Sequence, residues 1–353
     1  MPPTYILVTG ATGFIGAHVV SQLLSKNVRV RVAYRSQQKA DTMLAHFQKI
    51  YGNDQVDRLL DFVHTGDLAT PGCFDESLTG GIDGVIHCAS PLNFTLSPAD
   101  IINPAIEGTK SLLSSITSVT SVKKLVFLSS FAAVVDETGK GIGPEVEYTS
   151  QDWNPITYDE GVNAQDGGNG LRLAYQASKT LSEREVWKWS GSEGGKGCDV
   201  VSLCAPLVFG PVAYPIEKIS ELNSSNAELW FLTTGFNPLP VSNVPQWISV
   251  HDLTTALVNG ALFDLGSKRY TLASPAPFST QLAAETFRAL FEWGRDRVTV
   301  GESGNYPKQS KLEGETAKAE LLGGVEYRGW EETMKETLTQ FKEIEDKEKA
   351  RQA

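Results

Sequence analysis

The sequence predicts an α/β fold, a doubly wound parallel sheet with a smaller C-terminal region, and three observations carry that reading. An apolar run from Thr4 to Thr9 ends on three glycines at three-residue intervals, Gly10, Gly13 and Gly16, and passes into helical periodicity from Ala17. Strand-like runs at 28–34, 61–68, 83–91, 123–130 and 200–204 then alternate with helical stretches, the pattern of a parallel sheet covered on both faces. The 353 residues are enough for such a sheet and about one further domain.

The opening turn fixes the kind of sheet. Gly10 lets the chain reverse sharply, Gly13 lets backbone N–H groups approach a pyrophosphate, and Gly16 lets the helix lie close on the strand. A strand, this turn and a helix in succession predict a Rossmann-type dinucleotide site over Gly10, Thr12, Gly13, Phe14, Ile15 and Gly16.

The cofactor is chosen at the end of the second strand. NAD sites place an Asp or Glu there to bond the ribose 2′-hydroxyl, whereas this chain has Tyr34-Arg35-Ser36 followed by Lys39. Arg35 suits a 2′-phosphate, with Lys39 beside it, so NADP(H) is the expected cofactor. Asp67 and Leu68 after the third strand are expected near the adenine. Ala89 and Ser90 end the fourth strand with small side chains that let a cofactor pass closely.

Composition excludes other classes. The net charge is −11 and the basic residues are scattered, which argues against nucleic acid as a partner. Cys73, Cys88, Cys198 and Cys204 lack C-x-x-C spacing, and the five histidines form no ligand-spaced pair, so neither a disulfide framework nor a metal site is expected. His64 and His87 sit at the ends of apolar runs, as structural histidines do. The Met1-Pro2-Pro3 start lacks a signal-peptide pattern, and every apolar run is shorter than the ~20 residues of a membrane span. The expectation is a cytoplasmic protein with no membrane partner.

The chemistry is expected at the carboxyl edge of the sheet. Ser129-Ser130 ends the fifth strand, and Tyr175 and Lys179, four residues apart, share one face of a helix that Tyr175 is read as opening. Strand alternation points Ser129 and Ser130 in opposite directions, leaving one of them toward the tyrosine.

With these pieces in order, the chain resembles the extended short-chain dehydrogenase/reductase family. It is most similar to the branch of dihydroflavonol reductases, cinnamoyl-CoA reductases and fungal methylglyoxal and ketone reductases. The resemblance rests on Thr9 to Gly16, Ala33 to Ser36, His87 to Pro91, Pro104 to Thr109, Leu128 to Val134, Trp153-Asn154-Pro155, Tyr175 to Lys179, Ala205 to Pro211 and Ile248 to Asp252. It implies that Tyr175 is the general acid, that Lys179 binds the nicotinamide ribose, and that Ser130 bonds the substrate carbonyl. It also implies that Pro206 and Val208 flank the nicotinamide. Two positions depart from the family pattern. Ala105 stands where many members carry a proton-relay Asn, leaving water as the expected route to Lys179. Ser249 and His251 replace the usual Asp and Arg, a difference expected to alter packing rather than chemistry.

The resemblance implies an NADPH-dependent carbonyl reductase acting on a small aldehyde or ketone, as a monomer or homodimer. Alternatives are an epimerase or alcohol dehydrogenase for sugar-nucleotide or sterol-like substrates, and a non-catalytic dinucleotide-sensing regulator. Residues 1–211 are expected to form the cofactor domain, with 246–265 returning to it, and 212–353 to form mainly the substrate-binding region. Leu92, Phe94, Phe131 and Tyr214 are expected to wall the substrate pocket. The aromatic and proline-rich stretches 214–222, 229–232 and 236–240 are expected to supply either a lid or core. Helices are expected over 101–118, with Pro104 in the first turn, over 280–293 and over 330–345.

Overall fold

The structure, a computed structural model, describes residues 4–90, 97–164, 168–242, 244–302, 304, 306 and 310–352. Seven strands form the central sheet in the spatial order Lys268–Thr271, Asp199–Ala205, Lys124–Ser130, Gly84–His87, Tyr5–Thr9, Arg29–Tyr34, Leu60–His64. Every neighbouring pair is parallel. The strand period of two decides what each face receives. Ile6 and Val8 enter a core shared with helices Phe14–Ser25 and Val250–Leu262, while Tyr5 and Leu7 enter a second core with helix Pro98–Thr117 and Val186 of helix Gly168–Ser190. Covered on both faces, the first strand is wholly buried, which is why it reads as an uninterrupted apolar run.

The chain runs outward from the first strand to the third and then crosses back to place the fourth on the other side of the first. The carboxyl ends of these two central strands, Thr9 and His87, are therefore the switch point, where an open α/β sheet holds its ligand.

Several elements differ from their expected bounds. The third strand stops at His64, because Gly66 takes φ +65° and the chain turns; the Asp67 carboxylate then accepts the Ala69 N–H at 3.0 Å. The fourth helix starts at Pro98, capped by Ser97, so Pro104 lies inside it and not in its first turn. Tyr175 does not open its helix, which begins at Gly168 and places the tyrosine two turns in. The 280–293 stretch breaks at Phe291, whose extended backbone separates helix Thr280–Leu290 from Glu292–Arg297.

Beyond Pro211 a third core gathers Phe209, Trp230, Trp247, Phe278, Phe287 and Trp330. Leu229, Trp230 and Leu232 serve this core, while Phe231 is exposed and meets Phe236. The return to the sheet extends past 265: strand Lys268–Thr271 is the sheet's edge, and Ala317, Leu321 and Tyr327 pack into the core of the first strand. Among the described residues no helix is long and apolar enough to cross a membrane.

Candidate active site

The glycine turn has the shape that a dinucleotide needs. Gly10 takes φ +65°, and a Cβ on it would stand 2.6 Å from the Ala89 nitrogen, so the ends of the first and fourth strands touch only because this residue has no side chain. A Cβ on Gly16 would stand 2.3 Å from the Gly10 carbonyl oxygen, so the helix closes tightly onto the turn. Gly13 caps helix Phe14–Ser25 without any side-chain acceptor, and its first turn carries no acidic residue. The first-turn N–H groups of Phe14, Ile15 and Gly16 are thus available to an anion, with the helix dipole favouring one. Arg35 and Lys39 are exposed at the start of the next helix, Gln37–Tyr51, which Ser36 caps and which has no acidic residue in its first turn. Asp67 is exposed, while Leu68 packs between the second core and Gly108.

Ser130, the last residue of the central fifth strand, meets Tyr175 from the helix alongside. The Tyr175 hydroxyl donates to Ser130 Oγ at 3.3 Å, and Ser130 Oγ also accepts the Ala132 N–H at 3.1 Å. Both bonds use the oxygen of Ser130 as acceptor, which leaves its own hydrogen for a further oxygen. The Lys179 ammonium lies 5.7 Å from the centre of the Tyr175 ring and within electrostatic reach of His87 and Cys88 at the end of the fourth strand. Ser129 points away, its hydroxyl donating to buried Glu183 at 2.7 Å. Ser130, Tyr175 and Lys179 are thus brought to one place, beside the switch point.

A cavity of about 130 Å³ is lined by Ser130 and Tyr175. Its walls are mostly apolar: Phe131, Val135, Ile142, Pro206, Leu207 and Val244. Phe131, expected in the pocket wall, and Pro206, expected beside the nicotinamide, both line this cavity. Tyr214 does not, because its hydroxyl donates to the Thr12 carbonyl and its ring packs on the core behind the glycine turn, away from this cavity. Val208 is buried in the same core, with its carbonyl bonded by Ser225. Leu92 and Phe94 lie outside the described residues. Residues 236–240 do not line this cavity either; its far wall comes from Val244, Pro245 and Gln246.

Residues 6–257 match the family model described as the NAD dependent epimerase/dehydratase family. The chain belongs to that family. It is 30% identical to ketoreductase azaE of Aspergillus niger over 83% of this chain and 84% of the relative. It is 27% identical to the NADPH-dependent methylglyoxal reductase GRE2 of Saccharomyces cerevisiae over 96% of this chain and 98% of the relative. The crystal structure of Gre2 from Candida albicans in complex with NADPH superposes with a TM-score of 0.85 at 25% identity, covering 97% of this chain and 99% of that one.

Within this member of the epimerase/dehydratase family, a buried ion pair that the sequence did not announce ties the site together. Glu183, one turn beyond Lys179, is fully buried and accepts from Arg269 twice, at 2.9 and 3.1 Å, and from Ser129 and Ser202 at 2.7 Å each. Arg269 spends its five N–H groups on Glu183 and on the carbonyls of Ala133, Ser150 and Asp152, and lies 3.7 Å over the Trp153 ring. Asn154 adds bonds to Ala132 and Ala133, so the Trp-Asn-Pro motif braces the loop that follows Ser130. Burial pushes the Glu183 carboxyl up, but Arg269 and the two hydroxyls outweigh it and hold it below the ordinary carboxylate range. The available signal was a pair of charges, Glu183 and Arg269, at inward positions of a helix and a strand.

Two histidines near the turn give a test of the packing. Burial lowers His87 to about 3 and His18 to about 4; His87 Nδ1 lies 2.7 Å from Thr9 Oγ1, and His18 Nε2 lies 2.8 Å from the Pro211 carbonyl oxygen. His251 meets the edge of His18 and pairs with Glu336 at 3.1 Å, while Ser249 caps helix Val250–Leu262, so both departures from the family pattern fall on packing groups. Unfolded histidine binds its proton near pH 6.5, which the folded protein resists until about pH 4 and 3, so stability is complete above pH 6.5 and falls as pH drops through that window. The expected loss by pH 4 is a few kcal/mol. Urea midpoints at pH 7.5 and 4.5 measure it, and His87→Gln is expected to shrink the difference; an equal difference in the variant would count against His87 as a source.

Proposed function

We propose that the chain is an NADPH-dependent carbonyl reductase that converts an aldehyde or ketone to an alcohol. The observation that carries this reading is the convergence of the Ser130 and Tyr175 hydroxyls on an apolar cavity beside a dinucleotide turn. The Gre2 and azaE relatives, named as a methylglyoxal reductase and a ketoreductase, support the same class.

The residues fit the cofactor. First-turn N–H groups at 14–16 would hold the pyrophosphate, Arg35 and Lys39 the 2′-phosphate and Lys179 the nicotinamide ribose, with Ala89, Ser90 and Pro206 beside the cofactor. When bound, NADPH supplies a hydride to the carbonyl carbon. The carbonyl π pair then moves onto oxygen, where Ser130 donates its remaining hydrogen bond and Tyr175 delivers the proton that completes the alcohol. Because Ala105 has no side chain able to relay a proton, water is the expected route by which one returns to Lys179 and the tyrosinate. The apolar walls disfavour a sugar nucleotide, and the complete Ser130, Tyr175 and Lys179 set disfavours a purely sensing role.

Arg35→Ala tests the cofactor and the activity together. Its KM for NADPH in ketone reduction is expected to rise by ten-fold or more, roughly the loss of one charge-assisted bidentate contact, with little change for NADH. Wild-type protein that binds NADH as tightly as NADPH in calorimetry would defeat the assignment.

A further inference from the structure

The catalytic helix carries more than the acid. Arg172, Tyr175, Gln176 and Lys179 follow the i, i+3, i+4, i+7 spacing of one helix face, and the first three line the cavity. Against this face, on the loop after Ser130, stands Glu137, which pairs with Arg172 and accepts the Gln176 amide at 3.0 Å. Arg172 stands about one helical turn from Tyr175 along that face, and each side chain of the pair is 32% exposed.

Most of the other polar lining atoms bond within the protein, the exception being Gln246 Oε1, which is buried without a partner among the described residues. The Tyr148 hydroxyl is held between the carbonyls of Asp136 and Gly141, Ser310 Oγ accepts the Gly143 N–H, and the Gln246 amide bonds the Ser310 carbonyl. Arg172 uses only Nη1 among the described residues, so its Nε and Nη2 hydrogens remain to be offered. The wall therefore offers hydrogen-bond donors and carries no net charge.

Building on the carbonyl-reductase reading, we infer that Arg172 and Glu137 form a charge filter selecting substrates with a second, uncharged oxygen acceptor a few bonds from the reacting carbonyl. An ester or second ketone oxygen can take a spare guanidinium hydrogen at no electrostatic cost. A carboxylate must share that guanidinium with Glu137 and meets a like charge in doing so. The filter touches the tail of the substrate and not the reacting carbon, so its effect falls mainly on KM.

The test compares levulinate, its ethyl ester and methyl butyl ketone as substrates with NADPH, for wild type, Glu137→Gln and Arg172→Gln. Wild type is expected to favour the ester over levulinate in kcat/KM by about ten-fold or more. Glu137→Gln keeps the shape and leaves Arg172 uncompensated, so the levulinate-to-ester ratio should rise by about ten-fold, carried by KM. Arg172→Gln should lower the ester-to-ketone ratio without raising levulinate. Should the levulinate-to-ester ratio stay within about two-fold in Glu137→Gln while the ketone is still reduced, the filter is wrong and the reductase reading stands. If wild type oxidises NADPH with none of the three, nor with any other ketone or aldehyde, the reductase reading falls and the filter with it.

Discussion

Tyr175→Phe is expected to lower kcat for ketone reduction by roughly 10²–10⁴-fold, the range for losing a positioned general acid, while NADPH affinity stays near that of wild type. The substitution removes one oxygen. The helix Gly168–Ser190 keeps its contacts, Lys179 keeps its place near the fourth strand, and Ser130 keeps its bond from the Ala132 N–H. What is lost is the hydroxyl that points at Ser130 Oγ and carries the proton to the developing alkoxide. Because that interaction is made in the transition state, kcat and kcat/KM should fall together. Stopped-flow hydride transfer, with NADPH binding followed by fluorescence, separates the two. Near-normal turnover in the Phe variant would place the acid elsewhere.

Arg269→Ala should destabilise the fold by about 3–5 kcal/mol, the usual consequence of stripping one partner from a buried ion pair. Glu183 would be left fully buried with only two hydroxyls, the Trp187 ring N–H and a thiol around it, the carbonyls of Ser150 and Asp152 would lose their guanidinium donor, and that of Ala133 would keep only the Asn154 N–H. Stability from the depressed Glu183 carboxyl is present above the unfolded carboxylate's titration and is lost as pH falls through its lower folded value. Removing both charges in Glu183→Gln/Arg269→Met should cost less than the sum of the single variants, because neither leaves an unpaired buried charge. Equilibrium urea unfolding of the three proteins measures this, and strictly additive losses would show that the two side chains act independently.

Much of the site was readable before any coordinates because its parts are local. The glycine turn, the serine at a strand end and the tyrosine and lysine on one helix face are each defined by neighbours within eight residues, and backbone geometry alone places them. The same locality failed where side chains reach across the fold. Tyr214 follows the Phe209-Gly210-Pro211 stretch in an aromatic context suited to a pocket, yet its hydroxyl finds a carbonyl 202 residues away at Thr12. The stretch 229–232 suits a lid or a core equally by its sequence, and only the packing of distant helices assigns Leu229, Trp230 and Leu232 to a core.

By itself the sequence determined the doubly wound sheet, the order of its elements along the chain and the glycine turn, because each follows from periodicity or glycine conformation, while the family resemblance pointed to Ser130, Tyr175 and Lys179, which the fold brings together. Only the tertiary structure decided which residues wall the cavity, that Glu183 and Arg269 brace the loop after Ser130, and that Glu137 faces Arg172. Those pairings join positions 35 to 86 residues apart, and a burial that depends on which elements pack together leaves no periodic mark on either partner.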